Sequence, residues 1–197
     1  MFTGIIEHSG RVTEMTSSGS NKTFWIRSEL AASLKVDQSL CHNGVCLTVE
    51  AINGDLHRVT AIEETLKKTN LGQLKNDSMV NLERCVQLNS RLDGHLVQGH
   101  VDTIATCTAI NKKEGSHEFI FSFDTKFASL IIEKGSITVN GISLTCFNVT
   151  RDRFTVAIVP YTYAHTNMGA IKTGDTVNLE FDMIGKYVER ILQNKIL

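Results

Sequence analysis

Apolar and polar residues alternate in short runs along most of this chain, the period of half-buried strands rather than helices. Val45, Leu47 and Val49 fall on one face of such a run and Cys46 and Thr48 on the other, and the run continues to Ile52. Asn53-Gly54-Asp55 then supplies a hairpin turn, and residues 56–62 return. Comparable runs cover residues 2–13, 23–26, 79–88, 119–123, 154–159 and 176–181, so the first strand is predicted to start almost at residue 1. Ser17 to Asn21 is a turn cluster, and Asn43-Gly44 and Asn140-Gly141 are sharp turns, because both residue types tolerate positive φ. Pro160, the single proline, closes a returning strand, where a missing donor matters least. Residues 30–34 and 127–132 predict short helical turns, and residues 65–72 and 162–169 short linkers or a helical turn. Many short strands with regular turns predict an all-β fold, a barrel or a sandwich. Only the tail reads as a helix: Ile184, Tyr187, Val188, Ile191, Leu192 and Ile196 keep helical spacing, with Glu189 and Arg190 opposite. Such a stripe needs a cover, either a barrel or copies of itself, and self-association is the expectation.

The strand pattern occurs twice. Ser39-Leu-Cys-His-Asn-Gly-Val-Cys-Leu-Thr48 falls on Ser136-Ile-Thr-Val-Asn-Gly-Ile-Ser-Leu-Thr145, and the register then holds without a gap. Thr65 falls on Thr162, Asn70 on Asn167, Gly72 on Gly169, and Val80-Asn-Leu-Glu83 on Val177-Asn-Leu-Glu180. About a third of the aligned positions are identical, which marks an internal duplication. Upstream, Gly99 matches Gly4, His100 matches Ile5 and Val101 matches Ile6. The expected organisation is two tandem duplicated β-barrels, residues 1–96 and 97–183, followed by an oligomerisation helix, 184–197. Two similar domains imply two similar ligand sites. Each buries only a modest core, a further reason to expect an oligomer.

Composition narrows the classes. The net charge of the 197 residues is −1 with no basic stripe, which argues against nucleic acid as a partner. No apolar run approaches a membrane span, and the N-terminus lacks a signal-peptide pattern. The five cysteines are odd in number and irregularly spaced, reading as free thiols of a cytoplasmic protein.

Two kinds of chemistry suggest themselves. Cys41, His42 and Cys46 invite a metal, but in extended chain His42 and Cys46 lie about 13 Å apart and Cys41 points the other way, so no metal site is expected. No Gly-x-Ser-x-Gly elbow is present either. Cys46 and Ser143 are nevertheless repeat partners, each followed two residues later by threonine, Thr48 and Thr145. Small thiol and hydroxyl groups on one strand face leave room for a ligand and can hydrogen-bond a polyol or a heterocycle edge. The copies also differ, Cys46 against Ser143 and His100 against Ile5, as a reaction treating two like ligands differently would require. His100 is a candidate proton carrier near neutral pH.

On these residues the chain resembles the riboflavin synthase α-chain family. The resemblance rests on Met1-Phe-Thr-Gly-Ile-Ile6, Asn43-Gly-Val-Cys-Leu-Thr48, and residues 64–72, 94–102, 134–145 and 177–180. It weakens around residues 15–35 and 108–130. It implies two six-stranded Greek-key barrels and a C-terminal helix. It implies a homotrimer with the active site between the N-terminal barrel of one subunit and the C-terminal barrel of another. The implied reaction is a cofactor-free dismutation: one 6,7-dimethyl-8-ribityllumazine gives a four-carbon unit to a second, yielding riboflavin and 5-amino-6-(D-ribitylamino)uracil, so the enzyme is a transferase. Lumazine synthase is a further candidate partner.

By the resemblance, the reacting rings lie near His100 and Cys46 on one side, Ser143 and Thr145 on the other, and the terminal aromatic Phe2. The implied contacts on the first barrel are Gly4, Ile5, Ile6, Ser39, Cys46, Leu47, Thr48, Thr60, Ala61, Ile62, Glu63, Glu64, Thr65, Gly99, His100 and Val101. On the second they are Lys134, Ser143, Leu144, Thr145, Val159, Pro160, Tyr161, Thr162, Tyr163 and Ala164. Departures are Thr103 where many members have glycine, Cys41 where a small residue is usual, and Tyr161 and Tyr163. Lumazine-binding antenna proteins share the fold without turnover and form the alternative reading. A flavin reductase barrel would need a nicotinamide-binding domain, and no Gly-x-Gly-x-x-Gly follows a strand.

Overall fold

The computed structural model describes residues 1–194. The first half forms β1 (His8–Ser18), β2 (Asn21–Arg27), β3 (Ser39–His42), β4 (Val45–Thr48), β5 (Ala51–Asn53), β6 (Leu56–Ala61), the short helix α1 (Glu63–Lys68) and β7 (Met79–Arg84). The second forms β8 (Thr103–Lys113), β9 (Ser116–Ser122), β10 (Ser136–Val139), β11 (Ile142–Phe147), β12 (Arg153–Ile158), α2 (Pro160–His165) and β13 (Thr176–Phe181). Helix α3 (Met183–Gln193) follows. Ile196, expected on the tail's apolar stripe, lies outside the described residues.

The second sheet is a closed antiparallel barrel of order β10-β11-β12-β9-β8-β13. The first has the equivalent order β4-β3-β7-β1-β2-β6-β5. Its two end strands are joined by Val49 and Glu50 alone, so the chain itself turns the corner that closes the barrel. The run predicted from Val45 to Ile52 is thus two strands. At the break the Val49 amide donates to Gln38 O and the Glu50 amide to Arg58 O, as the chain leaves one neighbour for another. The alternating residues point inward as the sequence implies. Val12, Phe24, Leu40, Val59, Val80 and Leu82 fill the first barrel, and Phe119, Phe121, Phe154 and Phe181 dominate the second.

Three expectations change. The strand predicted over residues 79–88 ends at Arg84. The first strand begins at His8, and residues 2–7 do not join it. Pro160 opens α2 instead of ending a strand, and at the first helical position its missing N–H is one the helix would not use.

What joins the barrels is polar. Asn81 and Glu83 lie on the outward face of β7, where alternation would put them in water, yet they are buried, as are their repeat mates Asn178 and Glu180. Six asparagines, three from each copy, interlock across the seam. The Asn81 side chain donates to Asn140 O at 2.9 Å and the Asn178 side chain to Asn43 O at 2.8 Å. The Asn70 amide donates to Asn178 Oδ1 at 2.7 Å and the Asn167 amide to Asn81 Oδ1 at 2.8 Å. The two tight turns meet here: a Cβ on either Gly44 or Gly141 would come within 2.8 Å of the other's backbone nitrogen. The barrels are therefore related by a local two-fold axis.

Helix α3 is capped by the Asp182 carboxylate, which accepts from the Ile184 amide, and Lys186 pairs with Asp102 at 2.6 Å. Ile184, Tyr187, Val188, Ile191 and Leu192 are all at least half exposed. No helix among the described residues is long and apolar enough to cross a membrane.

The core of the first barrel holds a histidine pair that the second lacks. His42 and His57, which stand where the second barrel has Val139 and Phe154, are buried and share a 2.9 Å contact between their Nε2 atoms. His42 Nδ1 donates to Leu40 O, so its Nε2 accepts from His57, and His57 Nδ1 has no partner among the described residues. Burial pushes His57 down to about 4, and burial and then His57 hold His42 well below its usual range. The unfolded chain therefore binds protons first as pH falls. Stability is full above about 6.5 and drops as pH approaches about 4, by on the order of 3 kcal/mol for His57 alone. Urea unfolding across this range should show that acid limb, and the double variant His42→Val/His57→Phe should flatten it.

Candidate active site

The segment preceding each barrel docks on the other barrel. Phe2 and Val97, repeat mates, form an antiparallel bridge, with Phe2 N donating to Val97 O at 2.7 Å and Val97 N to Phe2 O at 3.1 Å. From that crossing the chain runs in opposite directions. Residues 4–6 reach the second barrel, where Gly4 O accepts from the Ser143 amide at 2.8 Å and Ile6 packs on the core. Residues 99–101 reach the first barrel, where Gly99 O accepts from the Cys46 amide at 2.9 Å and Val101 packs on the core. Gly4, Ile5 and Ile6, expected with the first barrel's contacts, therefore lie against the second barrel. The reason is the crossing, which local sequence does not encode.

Each leader is held by a buried carboxylate replacing a ladder partner. Glu83 accepts from the Thr3 amide and hydroxyl and the Gly4 amide, at 2.6 to 3.0 Å. Glu180 accepts from the amides of Gln98, Gly99 and His100 at 2.7, 3.0 and 3.0 Å. Burial pushes both carboxyls above the usual range, against the pull of those amides. The approach is close enough to require glycine. A Cβ on Gly99, whose φ is +80°, would lie 2.7 Å from Cys46 Cβ, and one on Gly4, at +77°, 2.6 Å from Ser143 Cβ.

Two chemically distinct stations result. On the first barrel Cys46 is half-buried beside Gly99, with exposed His100 next in the chain and Leu47 turned into the core. Thr48 pairs with Ser39 across the hairpin. On the neighbouring β6, the Thr60 hydroxyl contacts Thr23 Oγ1 at 2.9 Å and Glu50 Oε2 at 3.0 Å, and Ala61 is buried. Ile62 caps α1, whose Glu63 and Glu64 pair with Lys67 and Lys68 and whose Thr65 carbonyl accepts from Thr69.

On the second barrel Gly4, Ile5, Ile6, Ser143, Tyr161, Thr162 and Ala164 come together around a cleft of about 460 Å³. Tyr161 stacks on His165 at 4.1 Å, where the first copy has the Glu64–Lys68 ion pair. Several expected residues lie off this cleft. Tyr163 stacks on His117 at 4.0 Å and packs on the barrel core, as does Leu144. Thr145 pairs with Ser136, Lys134 lies over the Phe147 ring, and Val159 and Pro160 are exposed at the start of α2. Ser39 and Ile5 also border a larger cleft of about 540 Å³ with Arg84 and Glu7. Phe2 is fully buried, packed with Cys41, Val97 and Cys46, so it positions the station from beneath.

Sequence reasoning missed His95. Its Nδ1 lies 2.7 Å from Ser143 Oγ and its Nε2 3.1 Å from Thr138 Oγ1. Burial lowers its basicity, with Asp182 opposing, so the neutral ring can take or return a proton at the serine. His95 lies just before the repeat begins, and only the folded chain brings it to Ser143. Glu83 and Glu180 were visible as a repeated Val-Asn-Leu-Glu, but as strand residues. Among the described residues no group of three or more His, Cys, Asp and Glu side chains converges as metal ligands would.

A tandem pair of barrels with exchanged leaders and two unlike stations defines a duplicated small-molecule binder. The lumazine binding domain family matches residues 3–85 and again residues 98–182. The chain is 39% identical to riboflavin synthase of Actinobacillus pleuropneumoniae, covering 99% of this chain and 91% of that protein. It is also 39% identical to the Bacillus subtilis riboflavin synthase, covering 98% and 90%. The Mycobacterium bovis riboflavin synthase is 40% identical, covering 98% and 99%. The chain belongs to the riboflavin synthase family. Its fold is also that of LumP solved with riboflavin, at TM-score 0.86 and 23% identity over 92% of this chain and 99% of that one. LumP with 6,7-dimethyl-8-(1'-D-ribityl) lumazine gives 0.83 and 22%, over 91% and 98%.

Replacing Glu180 with alanine should leave three amides unpaired, the buried one of Gly99 at about 1–3 kcal/mol before relaxation and the part-buried ones of Gln98 and His100 at less. Hydrogen exchange should show the Gln98, Gly99 and His100 amides losing protection in Glu180→Ala while those of Thr3 and Gly4 keep theirs.

Proposed function

We propose that the chain is a riboflavin synthase of the cytoplasm, acting on two molecules of 6,7-dimethyl-8-ribityllumazine without a cofactor. One substrate loses a four-carbon unit to the other, giving riboflavin and 5-amino-6-(D-ribitylamino)uracil. The observation that carries this reading is the pair of stations, alike in backbone and unlike in side chains, in a chain so similar to riboflavin synthases along its length. Two identical ligands call for the likeness, and their opposite fates for the difference.

Residues 1–96 and 97–183 are then one lumazine-binding barrel each. The work divides into holding two rings in a reactive pose and moving protons between them. Positioning alone can supply a large part of the acceleration. The acidic C7 methyl of one lumazine must give up a proton, and His100 and the His95–Ser143 pair can carry protons at the two stations. Cys46 serves as a polar contact or nucleophile. The stations meet across subunits of a homotrimer, for which the exposed apolar stripe of α3 is the support.

Incubation of the purified protein with 6,7-dimethyl-8-ribityllumazine alone should yield one riboflavin per two lumazines consumed. His100→Gln and Ser143→Ala should lower kcat by about 10²-fold with smaller changes in KM. Tight binding without turnover would move the chain to the antenna class. In sedimentation the wild type should run as a trimer, and Val188→Asp/Ile191→Asp should dissociate it and abolish turnover.

A further inference from the structure

Cys41 on β3 and Cys46 on β4 are direct cross-strand partners, one step from the Asn43-Gly44 turn. In a two-residue hairpin the pair flanking the turn, His42 and Val45, exchanges hydrogen bonds, so the next pair does not. The amides agree: Cys46 N–H donates to Gly99 O, away from β3. Non-hydrogen-bonded partners have Cα atoms about 4.5 Å apart and side chains on one face. A disulfide spans Cα separations of roughly 4.4 to 6.8 Å, a range that includes the spacing of such a pair.

Leu40, Val45 and Leu47 belong to the barrel core, so the two thiols share the outward face. There they form one small apolar cluster with Phe2 and Val97. We propose that Cys41 and Cys46 are a redox-active dithiol, a modification site closed to a disulfide by hydrogen peroxide and reopened by small thiols. Half-buried Cys46 meets the oxidant first, because Cys41 is buried and burial, with Glu83, holds its thiol well above the usual range. Cys46 Sγ attacks one peroxide oxygen, the O–O bond breaks, and a sulfenic acid and one water result. Cys41 Sγ then attacks Cys46 Sγ; the S–S bond forms, and the sulfenic hydroxyl leaves with the Cys41 proton as a second water. The two thiols lose two electrons and two protons, and peroxide is reduced to two waters.

The second barrel has no such device, since Thr138 and Ser143 occupy the matching cross-strand positions. The disulfide would withdraw Cys46 from the first station only. The crosslink does not depend on the enzymatic reading, whereas its effect on turnover rests on the proposed part of Cys46.

The test treats the full chain with near-stoichiometric hydrogen peroxide, alkylates remaining thiols without reductant, and digests with trypsin. Cys41 and Cys46 lie on one tryptic peptide, residues 36–58, which carries no other cysteine. The expected peptide is unalkylated and about 2 Da lighter than the dithiol form. Dithiothreitol should restore both thiols and, in the lumazine assay, turnover. Cys41→Ala should retain activity when reduced; with excess peroxide its Cys46 should pass through the sulfenic acid to the sulfinic acid, a loss that dithiothreitol does not recover, where the wild-type disulfide is recovered. The proposal is overturned if both cysteines are alkylated after peroxide, or if wild-type Cys46 carries oxygen while Cys41 is alkylated. If the reduced chain does not turn over lumazine, the enzymatic reading fails and the peptide mass still decides the dithiol.

Discussion

The seam between the barrels is the constraint on which the rest depends. It is built from amides and carboxylates that a barrel alone would leave in water. Each barrel presents Asn81 or Asn178 on its outer face, and the other barrel's turn supplies the acceptor, Asn140 O or Asn43 O. A net hydrogen bond contributes only about 1 kcal/mol, but each buried amide left unpaired costs about 1–3 kcal/mol, so such a network is all or nothing. It fixes one relative orientation and excludes a sliding apolar contact. With orientation fixed, the Phe2–Val97 crossing delivers each leader to the opposite barrel.

That exchange makes the stations composite. Cys46 is local to the first barrel, but the Gly99 that crowds it and the adjacent His100 precede the second. Ser143 is local to the second barrel, but Gly4 comes from the start of the chain and His95 from the connection between barrels. Damage to the seam would therefore reach both stations without touching either. Duplication provides two like backbones, and divergence at a few positions provides unlike chemistry. A thiol and an exposed imidazole stand at one station, and a serine hydrogen-bonded to a buried imidazole at the other.

The same divergence explains two features a symmetric protein would not have. The His42–His57 pair loads the first barrel with an acid-sensitive core where the second has valine and phenylalanine. The Cys41–Cys46 pair places two thiols where the second barrel has two hydroxyls. Each pair takes one residue from the Ser39–His42 strand, part of the stretch whose repetition first reveals the duplication.

The sequence by itself determined the all-β class, the repeat, the turns at Asn43-Gly44 and Asn140-Gly141, and the inward set Val45, Leu47 and Val49. These follow from side-chain alternation and backbone preference within a few residues. It also singled out Cys46, Ser143 and His100, because differences between matched copies are visible in one dimension. Only the tertiary structure decided which leader serves which barrel, that Phe2 is buried, that Glu83 and Glu180 hold backbone amides, and that His95 reaches Ser143. Each of these joins residues about 50 to 140 positions apart through a crossing set by the buried asparagines. Alternation assigns a residue to the inside or outside of its own barrel. It carries no information about a second surface covering the outside, and there the site was built.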